Sequence, residues 1–206
     1  MARARAERCH RDNLLVEPLD RVKPNLKVMI YKILDKNSKE KVTILFTSVF
    51  SASEGENEGE LIGSLASELS SNIDNAEIIC FGAYENELLI GSIFFTRLRF
   101  SEPILFYMLG PVAVSTQHQG KGVGQALINF GLQELKIRSV AAVITYGDPS
   151  FYDKVGFQDL SEAVIQAPLK LSMPDGWLGQ SLTEEPIPTV NERPTCVKQF
   201  NDPAYW

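Results

Sequence analysis

The sequence predicts a mixed α/β domain whose central sheet is mostly antiparallel, splayed where a glycine-proline pair interrupts one strand, and flanked by helices. Three observations carry this expectation. Residues 78–114 hold three β-rich runs, IICFGAY, LLIGSIFFTRLRF and ILFYMLGPVAV, bounded by turn residues in the manner of an antiparallel meander. A long amphipathic stretch over 121–139 leads into AAVITY, a short apolar run of the kind buried in the middle of a sheet, so strand, helix and strand form a right-handed parallel crossover. Two shorter helical patterns precede the meander.

Taken in order, MIYKIL at 29–34 opens the sheet. Residues 39–50 place Val42, Leu45, Phe46 and Val49 at helical spacing, and 60–69 repeat the pattern with Leu61, Ile62, Leu65 and Leu69. Between them, 51–59 read as a solvated acidic turn carrying Glu54, Glu56 and Glu58 among Gly55 and Gly59. Pro111 cannot donate to a ladder, so the third meander strand is expected to be an edge, bulged or splayed at Gly110-Pro111. The helix over 121–139 directs Val123, Leu127, Phe130 and Leu135 to one face. Asp148 and Pro149 form a helix start, with Asp as cap and Pro in the first turn, and Gly156 ends that helix. Residues 163–173 are expected to add a strand. From 181 onward Pro186, Pro188, Pro194 and Pro203 point to extended chain over the surface, with Phe200, Tyr205 and Trp206 docking on the body or on a symmetry partner, which leaves a homodimer open.

The 206 residues suit one domain, and 44% hydrophobic with 22% charged residues is globular composition. The expected division is a basic flexible arm at 1–28, a body at 29–180 and a Pro-rich extension at 181–206. Residues 1–28 hold seven basic and four acidic side chains, a net of +3, so the overall charge of −6 leaves −9 on the remainder. Such a surface repels nucleic acid and anionic membranes. No apolar run reaches the roughly 18 residues of a membrane helix. Three cysteines without CxxC spacing argue against a disulfide framework or zinc knuckle and suit a reducing cytoplasm, and His10 and His118 offer few parts for a metal site. Cys80, within IICFG, reads as a buried small hydrophobe.

The sharpest feature is the turn VAVSTQHQGKGVGQA at 112–126, between a strand and the long helix. Free amides at a helix N-terminus attract anions, and Lys121 adds positive charge, so the turn suits a phosphate or pyrophosphate. The P-loop spacing fails because Gly122 follows Lys121. The dinucleotide fingerprint fails because the glycines stand two apart and the next strand, AAVITY, ends without an acid. Simple helix capping by the glycines is the alternative.

Gln119-x-x-Gly122-x-Gly124 after VAV, followed by a strand and then Phe151-Tyr152-x-x-x-Gly156-Phe157, resembles the acyl-coenzyme A motif of the GNAT superfamily of N-acetyltransferases over about residues 29–173. The runs LGPVAV and GDPSFYDKVGF are similar to an uncharacterised bacterial branch of predicted N-acetyltransferases. The resemblance implies a GNAT fold and acetyl-coenzyme A as acetyl donor to a primary amine attacking directly in a ternary complex. It implies that the amides of Gln119, Gly120, Lys121, Gly122, Val123, Gly124 and Gln125 cradle the pyrophosphate, and that Val112, Ala113 and Val114 pair with the pantetheine arm. Tyr152 would protonate the leaving thiolate, a packing aromatic being its alternative role, while Phe151 and Phe157 pack in the core.

Acetyl transfer also needs oxyanion stabilisation, for which the Val114 amide is a candidate, and removal of a proton from the amine. Many relatives carry a Glu in the strand before the turn, whereas Phe106–Pro111 here holds no carboxylate. His118, Glu102, Asp148 and a water relay stay open as routes for that proton, with His118 expected to meet phosphate or solvent and Asp148 to cap a helix. The Asn that the family places after the central strand is also missing. A non-catalytic acyl-coenzyme A binding or regulatory module is the alternative function.

Overall fold

A computed structural model describes residues 28–206; the basic arm expected at 1–28 lies, but for Val28, outside them. Strand β1 (Met29–Leu34) is followed by helices α1 (Lys39–Glu54) and α2 (Glu56–Ser71). The meander is β2 (Ile78–Glu85), β3 (Leu88–Leu98) and β4 (Phe106–Val114), after which α3 (Val123–Ile137) leads to β5 (Ala142–Tyr146). The short helix α4 (Pro149–Tyr152), β6 (Gln158–Asp159) and β7 (Trp177–Ser181) complete the regular elements. The strands form one sheet in the order β1-β2-β3-β4-β5-β7-β6, in which only β4 and β5 run parallel.

Period-two alternation divides the core into two layers because both sheet faces are covered. Cys80, Phe94, Phe106, Met108 and Ile144 face α1, α2 and the C-terminal segment. Ile79, Phe81, Phe95, Tyr107, Leu109 and Val143 face α3 and α4. Val42, Leu45, Phe46 and Val49 of α1, and Leu127, Ile128, Leu132 and Leu135 of α3, are the stripes buried against those faces.

The interruption at Gly110-Pro111, a cis peptide, falls inside the sheet. Ile93 pairs with Val112 and Phe95 with Leu109, so Phe94 alone faces two residues, a bulge. On the other side β4 pairs with β5 only from Phe106 to Leu109 and then parts from it. The expected splay is therefore where the proline puts it.

Two local expectations are corrected. The acidic segment 51–59 is no loop: α1 runs on to Glu54, Gly55 at φ +102° breaks the chain in one residue, and α2 begins at Glu56. Glu56 and Glu58 thereby stand in the first turn of α2, where the helix dipole favours acids. The strand expected at 163–173 does not form. Pro168 lacks an N–H, and Ile165, Ala167 and Leu171 cover the core as irregular chain, tied by a single bridge from Ile165 to Val190. The place beside β5 belongs to Trp177–Ser181, whose Trp177 Nε1 donates to Ile165 O at 3.0 Å. At the C-terminus Phe200 and Trp206 are buried on the chain's own body, joining the α1/α2 layer.

Candidate active site

A cavity of about 1100 Å³ opens where β4 parts from β5. Ser115 N donates to Ile90 O at 2.8 Å, so by alternation the Ala113 N–H also points toward β3, and those of Val112 and Val114 point to the opposite edge. Beyond Leu109, whose carbonyl accepts from Thr145 Oγ1 at 3.0 Å, β5 no longer pairs with that edge. Val112 and Val114 accordingly line the cavity, whereas Ala113 is buried in the α1/α2 layer. A ligand lying along this edge meets two inward-facing amides.

The glycine turn forms one end of the cavity. Gly120 and Gly122 take φ of +70° and +79°, which lets the chain double back before α3, and a Cβ built at either would meet open space rather than protein. The helical ladder starts with Ala126 N donating to Gly122 O at 3.0 Å, so the amides of 120–125 precede the first such bond. Gln119, Gly120, Gly122, Val123, Gly124 and Gln125 line the cavity. Lys121 does not; its side chain is exposed, and Lys154 supplies a cation on the cavity wall instead. Gln119 Nε2 donates to Val114 O at 3.0 Å, tying the turn to the strand.

His118 also lines the cavity, with both ring nitrogens engaged. Its Nδ1 shares a 2.7 Å hydrogen bond with Ser115 Oγ and its Nε2 lies 3.2 Å from Glu85 Oε2, with the His118 and Glu85 side chains both largely buried. This chain links the start of the turn to the end of β2, and no sequence spacing announced it because Glu85 and His118 are 33 positions apart.

Tyr152 lines the cavity from the end of α4, with 8% of its surface exposed and its hydroxyl beside Thr145. Burial raises its pKa above the ordinary phenol value, so the hydroxyl keeps its proton at neutral pH. Asp148, at the other end of that short helix, accepts from Ser150 N at 2.9 Å and from Ser150 Oγ at 2.8 Å, and these bonds lower its pKa. It is a cap. Glu102 is exposed and outside the cavity lining. Arg97 donates to Ile104 O and Arg99 pairs with Glu77 at 2.9 Å, so neither enters the cavity. Cys80 is fully buried, with its thiol pushed up to about 12 by desolvation.

The far half of the cavity is built by segments that carry none of the site residues expected from the glycine turn, β4 and Tyr152. Glu54 and Glu58 reach it from the α1–α2 junction, Tyr146 from the end of β5, Met173 from the irregular segment, and Tyr205 and Trp206 from the C-terminus. Among the described residues no group of three His, Cys, Asp or Glu side chains is placed to hold a metal, and no helix is long and apolar enough to cross a membrane.

The GNAT acetyltransferase domain pattern matches residues 76–159, which run from just before β2 through the glycine turn and Tyr152 to the end of β6. The chain is 32% identical over 104 residues to the uncharacterized N-acetyltransferase YjhQ of Escherichia coli K12, covering 48% of this chain and 58% of that one. It is 35% identical over 57 residues to the uncharacterized N-acetyltransferase YhbS of the same strain, covering 28% and 34%. The chain thus spans little more than half of the first relative and a third of the second. The crystal structure of Escherichia coli YhbS in complex with CoA superposes with a TM-score of 0.71 at 21% identity, covering 87% of this chain and 95% of that one. A GNAT family acetyltransferase from Brucella melitensis in complex with acetyl-CoA superposes with a TM-score of 0.58 at 20% identity, covering 82% and 95%. The GNAT acetyltransferase domain pattern thus spans both the strand β4 at which the sheet splays and the glycine turn that opens α3, and the fold is shared with these GNAT structures.

Proposed function

We propose that the protein transfers an acetyl group from acetyl-coenzyme A to a primary amine by direct attack in a ternary complex. The observation that carries this reading is the run of turn amides at 120–125 ahead of the first helical bond, opening onto the same cavity as the free β4 edge and Tyr152. A pyrophosphate fits that end: the amides and helix dipole supply positive potential, the glycines leave space, and Lys154 stands on the wall. When bound, the cofactor supplies an activated acetyl thioester. The Val112 and Val114 amides hold a pantetheine arm along the edge and place the acyl carbonyl within reach of a backbone N–H. The bond from nitrogen to the acetyl carbon forms as the carbon-sulfur bond breaks. Tyr152 gives its proton to the departing sulfur and regains one from solvent, while the amine loses its own proton to water in the open cavity.

His118, Glu102 and Asp148 are assigned no base role, the first and last because Glu85 with Ser115 and Ser150 already hold them, the second because it lies outside the cavity. The working division keeps 29–180 as the transferase body and gives 181–206 a share of the acceptor end. The paucity of cysteine supports a cytoplasmic setting.

The test incubates the protein with acetyl-coenzyme A and a panel of primary amines while free thiol is measured and products are weighed by mass spectrometry. Amine-dependent thiol release with a 42 Da gain on the amine is the expected result. Cofactor binding without acetylation of any amine would instead favour an acyl-coenzyme A binding module, a reading supported by the absence of a carboxylate in Phe106–Pro111.

A further inference from the structure

We propose that the far half of the cavity is an acceptor site for a hydrophobic amine cation, a protonated primary amine carried on an apolar body and lacking a carboxylate. This rests on the acetyl-transfer reading for what happens to the amine, but the site itself stands on the architecture of the cavity. Three independent parts of the chain converge there. Tyr146 and Trp206 form a stacked pair with ring centroids 6.4 Å apart and planes 18° apart, and Trp206 is fixed by its Nε1, which donates to Phe200 O at 2.9 Å. Tyr146 is fixed in turn: its hydroxyl shares a 2.9 Å bond with Ser172 Oγ and accepts from Met173 N at 2.7 Å. That arrangement holds Met173 at the lip, where 64% of this apolar side chain is exposed. An immobilised aromatic wall facing an exposed methionine suits an apolar body of modest size.

The charge on this half has one sign. Glu54 and Glu58 line it, neither makes an ion pair among the described residues, and Glu58, Glu68 and Asp202 all act on Tyr205. Lys154, the cavity's lysine, acts on Asp148 and stands two residues after Tyr152. An ammonium is attracted by the carboxylates and by the ring of Tyr146, which Trp206 backs from the core, whereas an acceptor bearing its own carboxylate is repelled. The polarity of the cavity is thus opposite at its two ends, anion-seeking at the turn and cation-seeking at the aromatic wall.

The test uses the full chain and three probes: phenethylamine, phenylalanine (the same body with a carboxylate) and ethanolamine (a cation without an apolar body). Two tryptophans report, Trp206 and its neighbour Trp177 at 6.1 Å. Phenethylamine should change their fluorescence saturably without cofactor and act as acceptor with kcat/KM at least about tenfold above either control, a difference of ~1.4 kcal/mol. In the Glu54→Gln/Glu58→Gln variant its dissociation constant and KM should rise about fivefold, the scale of two part-exposed carboxylate contacts, with acetyl-coenzyme A affinity by calorimetry unchanged. Equal use of phenylalanine or ethanolamine, no fluorescence response, or a double variant indistinguishable from wild type would overturn the site. Saturable amine binding in a protein that does not bind acetyl-coenzyme A would uphold the site and reject the acetyl-transfer reading alone.

Discussion

The two ends of the cavity are made in opposite ways. The turn end is one continuous stretch, residues 112–125, in which strand edge, glycine turn and helix start follow each other along the chain. The aromatic end gathers Glu58, Tyr146, Met173 and Trp206, residues separated by up to 148 positions, onto one wall. The first kind of site works through backbone amides and tolerates side-chain change wherever the fold keeps its glycines. The second works through side chains and can be retuned one residue at a time. The turn end can therefore stay constant while the aromatic end varies.

Substitutions separate the ends. Gly122→Glu, which places a strained residue and a negative charge at φ +79° in the turn, should lower acetyl transfer more than about 100-fold by thiol release, while phenethylamine still saturates the tryptophan signal. Loss of both signals would break the comparison by making the two ends one unit.

Tyr152→Phe tests the middle. Removal of a proton donor is expected to lower turnover about 100-fold with cofactor affinity preserved. Because burial raises the Tyr152 pKa above 10.0, the rate should climb with pH as the amine deprotonates and fall only above pH 10, when the phenol loses its proton; the variant should lack that fall. A descending limb near neutrality would assign the acid elsewhere.

Trp206→Ala should raise KM for phenethylamine about tenfold and leave cofactor affinity alone. Loss of a ring that is 6% exposed should also lower stability by about 3 kcal/mol in denaturant titration. The smallest effect is expected at the link between turn and hairpin. His118→Gln keeps a polar side chain but breaks the bridge from Ser115 to Glu85, and acetyl-coenzyme A affinity should fall a few fold, about 1 kcal/mol, with kcat unchanged.

The same contrast explains what could be read from the sequence. The meander, the crossover and the capped turn at Asp148 are local patterns, so strand period, proline position and glycine spacing foretold them. Even the splay at Gly110-Pro111 followed from one missing N–H. The acidic segment misled because Glu54, Glu56 and Glu58 look solvated until a single glycine at position 55 lets two helices abut and brings two of those acids to the cavity. Residues 163–173 are apolar enough to suggest a strand, but Pro168 forbids continuous pairing there, and WLGQS is too short to stand out as the strand that takes the place beside β5. The His118–Glu85 contact and the Tyr146–Trp206 stack depend on which elements the sheet order brings together, and no local spacing encodes that order.

Calorimetric titration of acetyl-coenzyme A into the wild-type protein and into Gly122→Glu tests the central assignment most directly. One saturable site per chain in the wild type and none in the variant is the predicted result. Absent binding in the wild type, or equal affinity in both proteins, would contradict the placement of the cofactor on the glycine turn.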